Sequence, residues 1–229
     1  MLFLSFQVDG YQVSPAQKVK LSYEIDGLDP QGVKLMETVK DTVEAELAPQ
    51  DKNWQPKIRH SIATPPLGPP GAYKIVVRVK DELAGSTASK EIPFQIRAHE
   101  VARSDTLVVR NFHFFRTEDD REPLSPAVYR PGDSVWARFD ITGYKLGDGN
   151  RKDVQYGIAV AAPSGKVLFT QPEAAVEQSA SFYPQRYVPG SFNLTLQPNI
   201  RPGEYSIVLT VRDRIGNQTI EDKETFRIE

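Results

Sequence analysis

Four stretches of the chain alternate apolar and polar residues: Val19, Leu21, Tyr23, Ile25; Tyr73, Ile75, Val77, Val79; Val135, Ala137, Phe139, Ile141; and Tyr205, Ile207, Leu209, Val211. A period of two puts those side chains on one face of a strand and the intervening residues on the other. Lys74, Arg78 and Lys80, like Ser206, Thr210 and Arg212, fall on the second face. One side is thus buried and the other solvated, as in antiparallel sheets. Gly, Pro and Asn punctuate such runs at the spacing of a β-sandwich. Strands are expected near 2–8, 17–26, 40–48, 57–63, 72–80 and 88–97, then near 106–115, 133–142, 153–162, 166–170, 190–197, 204–212 and 218–228.

The two halves repeat. PPGAYKIVVRVKD at 69–81 and RPGEYSIVLTVRD at 201–213 share seven of thirteen residues at a displacement of 132, and FQI at 94–96 matches FRI at 226–228 at the same displacement. A second match, at 116, pairs Val19 with Val135, Tyr23 with Phe139 and Gly27 with Gly143, and EAELAP at 44–49 resembles GIAVAAP at 157–163. The growing displacement implies about sixteen extra residues in the second copy within TQPEAAVEQSASFYPQRYVPG, and another insertion around TEDDREPLSPAVY. GVKLMETVKDTVEAEL at 32–47 holds good helix formers, but its counterpart RKDVQYGIAVAA reads as strand, so position outweighs propensity. About seven strands per copy are expected, in domains spanning 1–98 and 104–229, the second with two loop insertions.

In each Pro-Gly-x-Tyr, proline fixes φ, Gly71 or Gly203 tolerates the turn, and Tyr73 or Tyr205 enters a strand with its ring in the core and its hydroxyl seeking a backbone partner. This resembles the tyrosine corner of immunoglobulin-like Greek-key sandwiches. The pattern PGxYxIxVxVxD followed by FxI is similar to tandem immunoglobulin-like or fibronectin-III-like modules of bacterial envelope or secreted proteins. The resemblance covers essentially the whole chain. It implies an all-β protein of two tandem Ig-like Greek-key sandwiches, located in the periplasm or outside the cell.

Composition narrows the function. With 28 Lys and Arg against 30 Asp and Glu, and no long run of one sign, the chain lacks the electrostatic footprint of a nucleic-acid binder. The absence of cysteine removes disulfides, thiolate metal sites and cysteine nucleophiles. MLFLSF lacks the basic and long apolar regions of a signal peptide, and no window nears the roughly 18 apolar residues of a membrane helix, so no membrane insertion by this segment is expected.

Catalytic and cofactor signatures are missing from the sequence: there is no GxSxG, P-loop, GxGxxG or paired-histidine motif. His60, between Ile58 and Ile62, reads as a core or rim residue, and His113 as solvent-facing. The acidic TEDDRE at 117–122 reads as a solvated loop rather than a calcium site. Neither a catalytic residue, a metal nor a cofactor is expected. Aromatics are the remaining binding candidates: Trp136, outward-facing by strand parity, with Phe182, Tyr183 and Tyr187 of the SFYPQRY loop. The bland reading packs Trp136 beneath that loop. A non-enzymatic structural or protein-interaction module is expected, with its contact surface on the second domain. A carbohydrate-binding module using the same aromatics, with polysaccharide as partner, is the alternative.

Overall fold

A computed structural model describes residues 1–51 and 53–229. The molecule is all-β, with one short 3-10 turn among the described residues, at Asp148–Asn150. No helix among the described residues is long and apolar enough to cross a membrane. The chain divides into two compact units, Met1–Glu100 and Val101–Glu229.

Unit 1 contains β1 (Leu2–Gln7), β2 (Lys18–Leu28), β3 (Val39–Glu46), β4 (Lys57–Ile62), β5 (Gly71–Asp81) and β6 (Thr87–Ile96). β1 and β4 form one sheet, and the order β3-β2-β5-β6 forms the other. Leu4, Ile58 and Ile62 of the small sheet share a core with Tyr23, Ile25, Ile75 and Val77 of the larger one. The alternation explains this: Ile25 and Ile75 are essentially inaccessible while Lys74 and Lys80 remain in solvent. Each such isoleucine contributes on the order of 1.5–3 kcal/mol.

Unit 2 contains β7 (Val108–Phe115), β8 (Val128–Tyr129), β9 (Ser134–Thr142), β10 (Lys152–Ala161), β11 (Val167–Ser179), β12 (Tyr187–Thr195), β13 (Gly203–Asp213) and β14 (Gln218–Ile228). Its sheets run β12-β9-β7 and β11-β10-β13-β14-β8. Their inner faces meet in a single cluster that includes Phe139, Ile141, Tyr156, Ile207, Leu209 and Phe226. All pairings are antiparallel except the short parallel contact of β8 with β14.

The sheet registers correct the second repeat. β2 lies beside β5, whereas β9 lies in the other sheet, between β12 and β7. The strand in β2's place is β10: Tyr23 faces Val79 as Tyr156 faces Val211, displacements of 133 and 132. β1 takes the place of β9, with Leu4 opposite His60 as Ala137 is opposite Phe192. The turns agree: Gly32 and Gly165, both at φ +81°, close the same bend, donating N–H to Asp29 and Ala162 at 3.0 and 2.8 Å.

The displacement therefore stays near 132–134 throughout, and the sixteen-residue insertion does not exist. Most of the supposed insert is strand, because β11 continues through TQPEAAVEQS. TEDDREPLSPAVY belongs to the segment carrying β7 and β8, which has no counterpart among the described residues of 1–100. Among the described residues unit 1 thus has six strands rather than seven.

Candidate functional site

Three locks recur in both units. Tyr73 donates its hydroxyl to the Pro69 carbonyl at 2.6 Å and Tyr205 to that of Arg201 at 2.8 Å, both rings being buried. Gly71 and Gly203, at φ +149° and +150°, lie so near Pro30 and Pro163 that a Cβ would stand 2.8 Å from the proline Cγ in either case. The third lock is a buried carboxylate. Asp81 accepts the backbone N–H groups of Gln12, Leu83 and Ala84 at 2.6, 2.9 and 3.1 Å, and Asp213 those of Lys145, Ile215 and Gly216 at 2.8, 3.0 and 2.9 Å. Burial would push the Asp81 pKa up, but its three backbone donors hold it below the usual carboxylate value. Such a carboxylate is saturated, so it pins loops and is not poised to take a proton.

The units differ at one place. In unit 2, Leu107, Val109, Phe112 and Phe114 pack on the core, and Phe112 stacks on Phe139 with centroids 5.6 Å apart. Tyr129 of β8 is 1% exposed, sets its ring edge-on to Phe226 at 5.8 Å, and donates its hydroxyl to the Phe115 carbonyl at 2.8 Å. Residues 1–100 keep the receiving residues, Phe6 for Phe139 and Phe94 for Phe226, but among the described residues none occupies the place of β7 or β8.

Two hollows lie in their place. One, of about 400 Å³, is walled by Phe6, Val8, Tyr11, Leu21, Val79 and Ile92. The other, of about 390 Å³, lies between Leu2, Pro65, Phe94 and Ile96. They flank β1 and β6, which have no second neighbouring strand among the described residues. The glycines mark the same contrast. A Cβ on Gly143 would run into the Thr106 carbonyl that leads into β7, whereas Gly10, at nearly the same φ, faces open space.

The aromatics proposed from the sequence do not assemble. Trp136, half-buried on β9, stands opposite Phe115 and Asn193, while Tyr187 stands opposite Thr142. Six residues of strand separate the two positions, roughly 20 Å. Phe182 is half exposed, but Tyr183 is buried and so offers no stacking face. The SFYPQRY loop does not cover Trp136 either. Hydroxyls of Tyr144 and Thr142 bond to the carbonyls of Gln185 and Arg186 at 2.8 and 2.9 Å, tying the loop to the opposite end of β9. Near Trp136 the sheet's outer face is instead crossed by Arg138, whose guanidinium lies 3.6 Å from the Phe115 ring centre.

His113 is exposed, and His60 sits at the core rim with Nε2 2.9 Å from the Tyr23 hydroxyl. Burial, then the nearby Asp41 carboxylate, pushes the Tyr23 pKa up, so that phenol holds its proton. In the acidic loop, Asp120 accepts the backbone N–H groups of Arg116 and Thr117 at 3.1 and 3.0 Å, closing a turn. Among the described residues no group of three or more His, Asp or Glu is placed to hold a metal ion.

The groove was missed from the sequence because generic strand alternation paired β2 with β9. The usable signal was in the punctuation. Gly10-Tyr11 and Gly143-Tyr144, and Pro30 and Pro163, keep a displacement of 133 that aligns β1 with β9 and leaves residues 101–133 unmatched.

No protein-family model matches the chain, and no curated protein does. Among solved structures it is similar to the alkylpurine DNA glycosylase AlkC of Pseudomonas fluorescens bound to DNA containing an abasic site analog. That match has 10% identity and TM-score 0.34 over 54% of this chain and 30% of that one. A family 123 glycoside hydrolase from Clostridium perfringens matches at 11% identity and TM-score 0.35, over 54% of this chain and 27% of that one. The C-terminal domain of wzt matches at 10% identity and TM-score 0.39, over 56% and 76%. The chain spans less than a third of the length of the first two. These likenesses assign no activity.

Proposed function

We propose that the chain is a non-enzymatic interaction module made of two tandem immunoglobulin-like Greek-key sandwiches, working in the envelope or secreted complement of a bacterium. Support for the fold comes from unit 2, where β12-β9-β7 faces β11-β10-β13-β14-β8, and from the paired tyrosine hydroxyls bonding carbonyls four residues upstream. The compartment rests on the resemblance of the PGxY modules. The interaction role rests on one observation, the apolar groove of unit 1 between two edge strands. Half-buried apolar side chains such as Phe6, Val8 and Ile92 lie there beside strand edges that no described strand covers, and such edges are templates for further pairing. The contact surface moves accordingly from the second unit to the first. A non-enzymatic role is favoured because Asp81, the one buried carboxylate of the groove wall, is consumed by backbone donors.

The test is a photo-crosslinking residue at Ser89, on the groove wall, in the cell that makes the protein. A discrete polypeptide adduct, lost in Val8→Arg and fractionating with the envelope, is expected. A saccharide-induced tryptophan fluorescence shift lost in Trp136→Ala, with no adduct, would replace this reading by carbohydrate binding.

A further inference from the structure

We infer that the seam of unit 2 where β14 passes β7 is a proton-operated clasp: Glu224 takes up a proton to tighten it and releases that proton to loosen it, while Asp222 and His113 set the balance. This goes beyond the interaction reading and does not rest on it. On β14, Ile220, Asp222, Glu224 and Phe226 stand opposite Val211, Leu209, Ile207 and Tyr205 of β13. Those four partners are buried, so strand parity turns both carboxylates toward the core side of the sheet, where each is half-buried. Unit 1 places Lys90 and Ile92 at the equivalent positions, opposite Val77 and Ile75.

β8 pairs with β14 only at Arg227 and Ile228, so from Gln218 to Phe226 no described strand covers the second edge of β14. Across that gap lies β7, whose Phe114 ring is 5.8 Å from that of Phe226. The charges bearing on Glu224 are Asp222 on its own strand and His113 on β7, while β13 offers it only Ile207 and Leu209. Glu221 and Lys223 occupy the opposite face of β14. Among the described residues no donor bonds to the Glu224 carboxylate. Burial, and then the like charge of Asp222, push the Glu224 carboxyl above its usual range, against a smaller pull from His113. Ionised, it stands unpaired beside apolar surface and a second carboxylate, and so draws water into the seam; protonated, it tolerates a dry one. Because its folded pKa lies above the unfolded value of about 4.3, the seam is firmest below that pH and weakens as pH rises through the folded value. Asp81, held low by its backbone donors, has the opposite sign, so acid tightens unit 2 here while it loosens unit 1.

The test is a carboxyl-carbon NMR titration of the full, unaltered chain, with the Glu224 resonance assigned through Glu224→Gln. Its midpoint is expected above the value of about 4.3 for an ordinary glutamate. Asp222→Asn should move that midpoint down and His113→Gln should move it up, responses that a merely structural glutamate would not give. Amide hydrogen exchange, scaled for the intrinsic rate at each pH, then reads the seam itself. Glu224→Gln is expected to slow exchange across residues 218–226 at least about threefold at pH 7 and to leave it unchanged at pH 4. A wild-type midpoint at or below the ordinary value overturns the proposal, as does one that neither neighbouring substitution moves. Exchange in Glu224→Gln as fast as in the wild type at pH 7 overturns it as well.

Discussion

Asp81 and Asp213 each gather three backbone N–H groups from two separated loops, which no other side chain of similar size can do. Replacing Asp213 by alanine strands those donors in a buried site, so unit 2 should lose at least about 2 kcal/mol in urea unfolding. Asp81 adds a pH signature. Its folded pKa lies below the unfolded value of about 3.9, so its stabilisation is complete above that pH and is lost as pH falls through the folded value. Near-ultraviolet circular dichroism from pH 6 to 2 should show an acid limb that flattens in Asp81→Asn. The glycine pair separates conformation from contact. Gly10→Ala should cost only the positive-φ penalty, about 1–2 kcal/mol, whereas Gly143→Ala adds a collision with the Thr106 carbonyl and should cost at least twice as much. Equal costs would mean that the space beside Gly10 is filled in solution.

Among the elements, β8 is only Val128–Tyr129, too short to be seen by alternation, yet it plugs the open side of unit 2. Tyr129→Ala should destabilise unit 2 by about 3–5 kcal/mol, the range for deleting a buried aromatic. Chemical denaturation would measure it, and a loss under about 1 kcal/mol would show that β8 is not needed to close the sandwich. β11 teaches a different lesson. Its residues are mostly exposed on a sheet edge, so TQPEAAVEQS carries little core signal and reads as an inserted loop, although it forms a ladder with β10. Strands such as β5 and β13 were legible because one face is sealed and the other is wet. Edge strands lose half of that contrast.

Across the whole molecule, the two units bury their cores differently. Unit 2 has one cluster that includes Leu107 and Phe114 of the β7 segment, while the described residues of unit 1 form two, around Tyr23 and Ile25 and around Val19 and Leu21. Val8 borders both clusters and also lines the groove. Less apolar surface leaves water per residue in unit 1, so it should be the weaker unit. Calorimetry of the full chain is expected to show two transitions, the lower one sensitive to Val8→Arg. A single transition insensitive to that substitution would contradict a separately less stable unit 1.

The order of side chains alone determined the all-β character, most strand positions and the equivalence of Tyr73 with Tyr205, because period two and proline-glycine punctuation are local properties. Which strands are neighbours is not local. Every amphipathic strand matches every other at some displacement, so Val19 could be laid on Val135 although they belong to different sheets. Only the hydrogen-bonded registers, which bring Tyr23 against Val79 and Tyr156 against Val211, placed β1 where β9 stands. The open groove and the scattering of Trp136 from Tyr187 follow from that pairing across the sheets, and a linear pattern of apolar residues does not encode it.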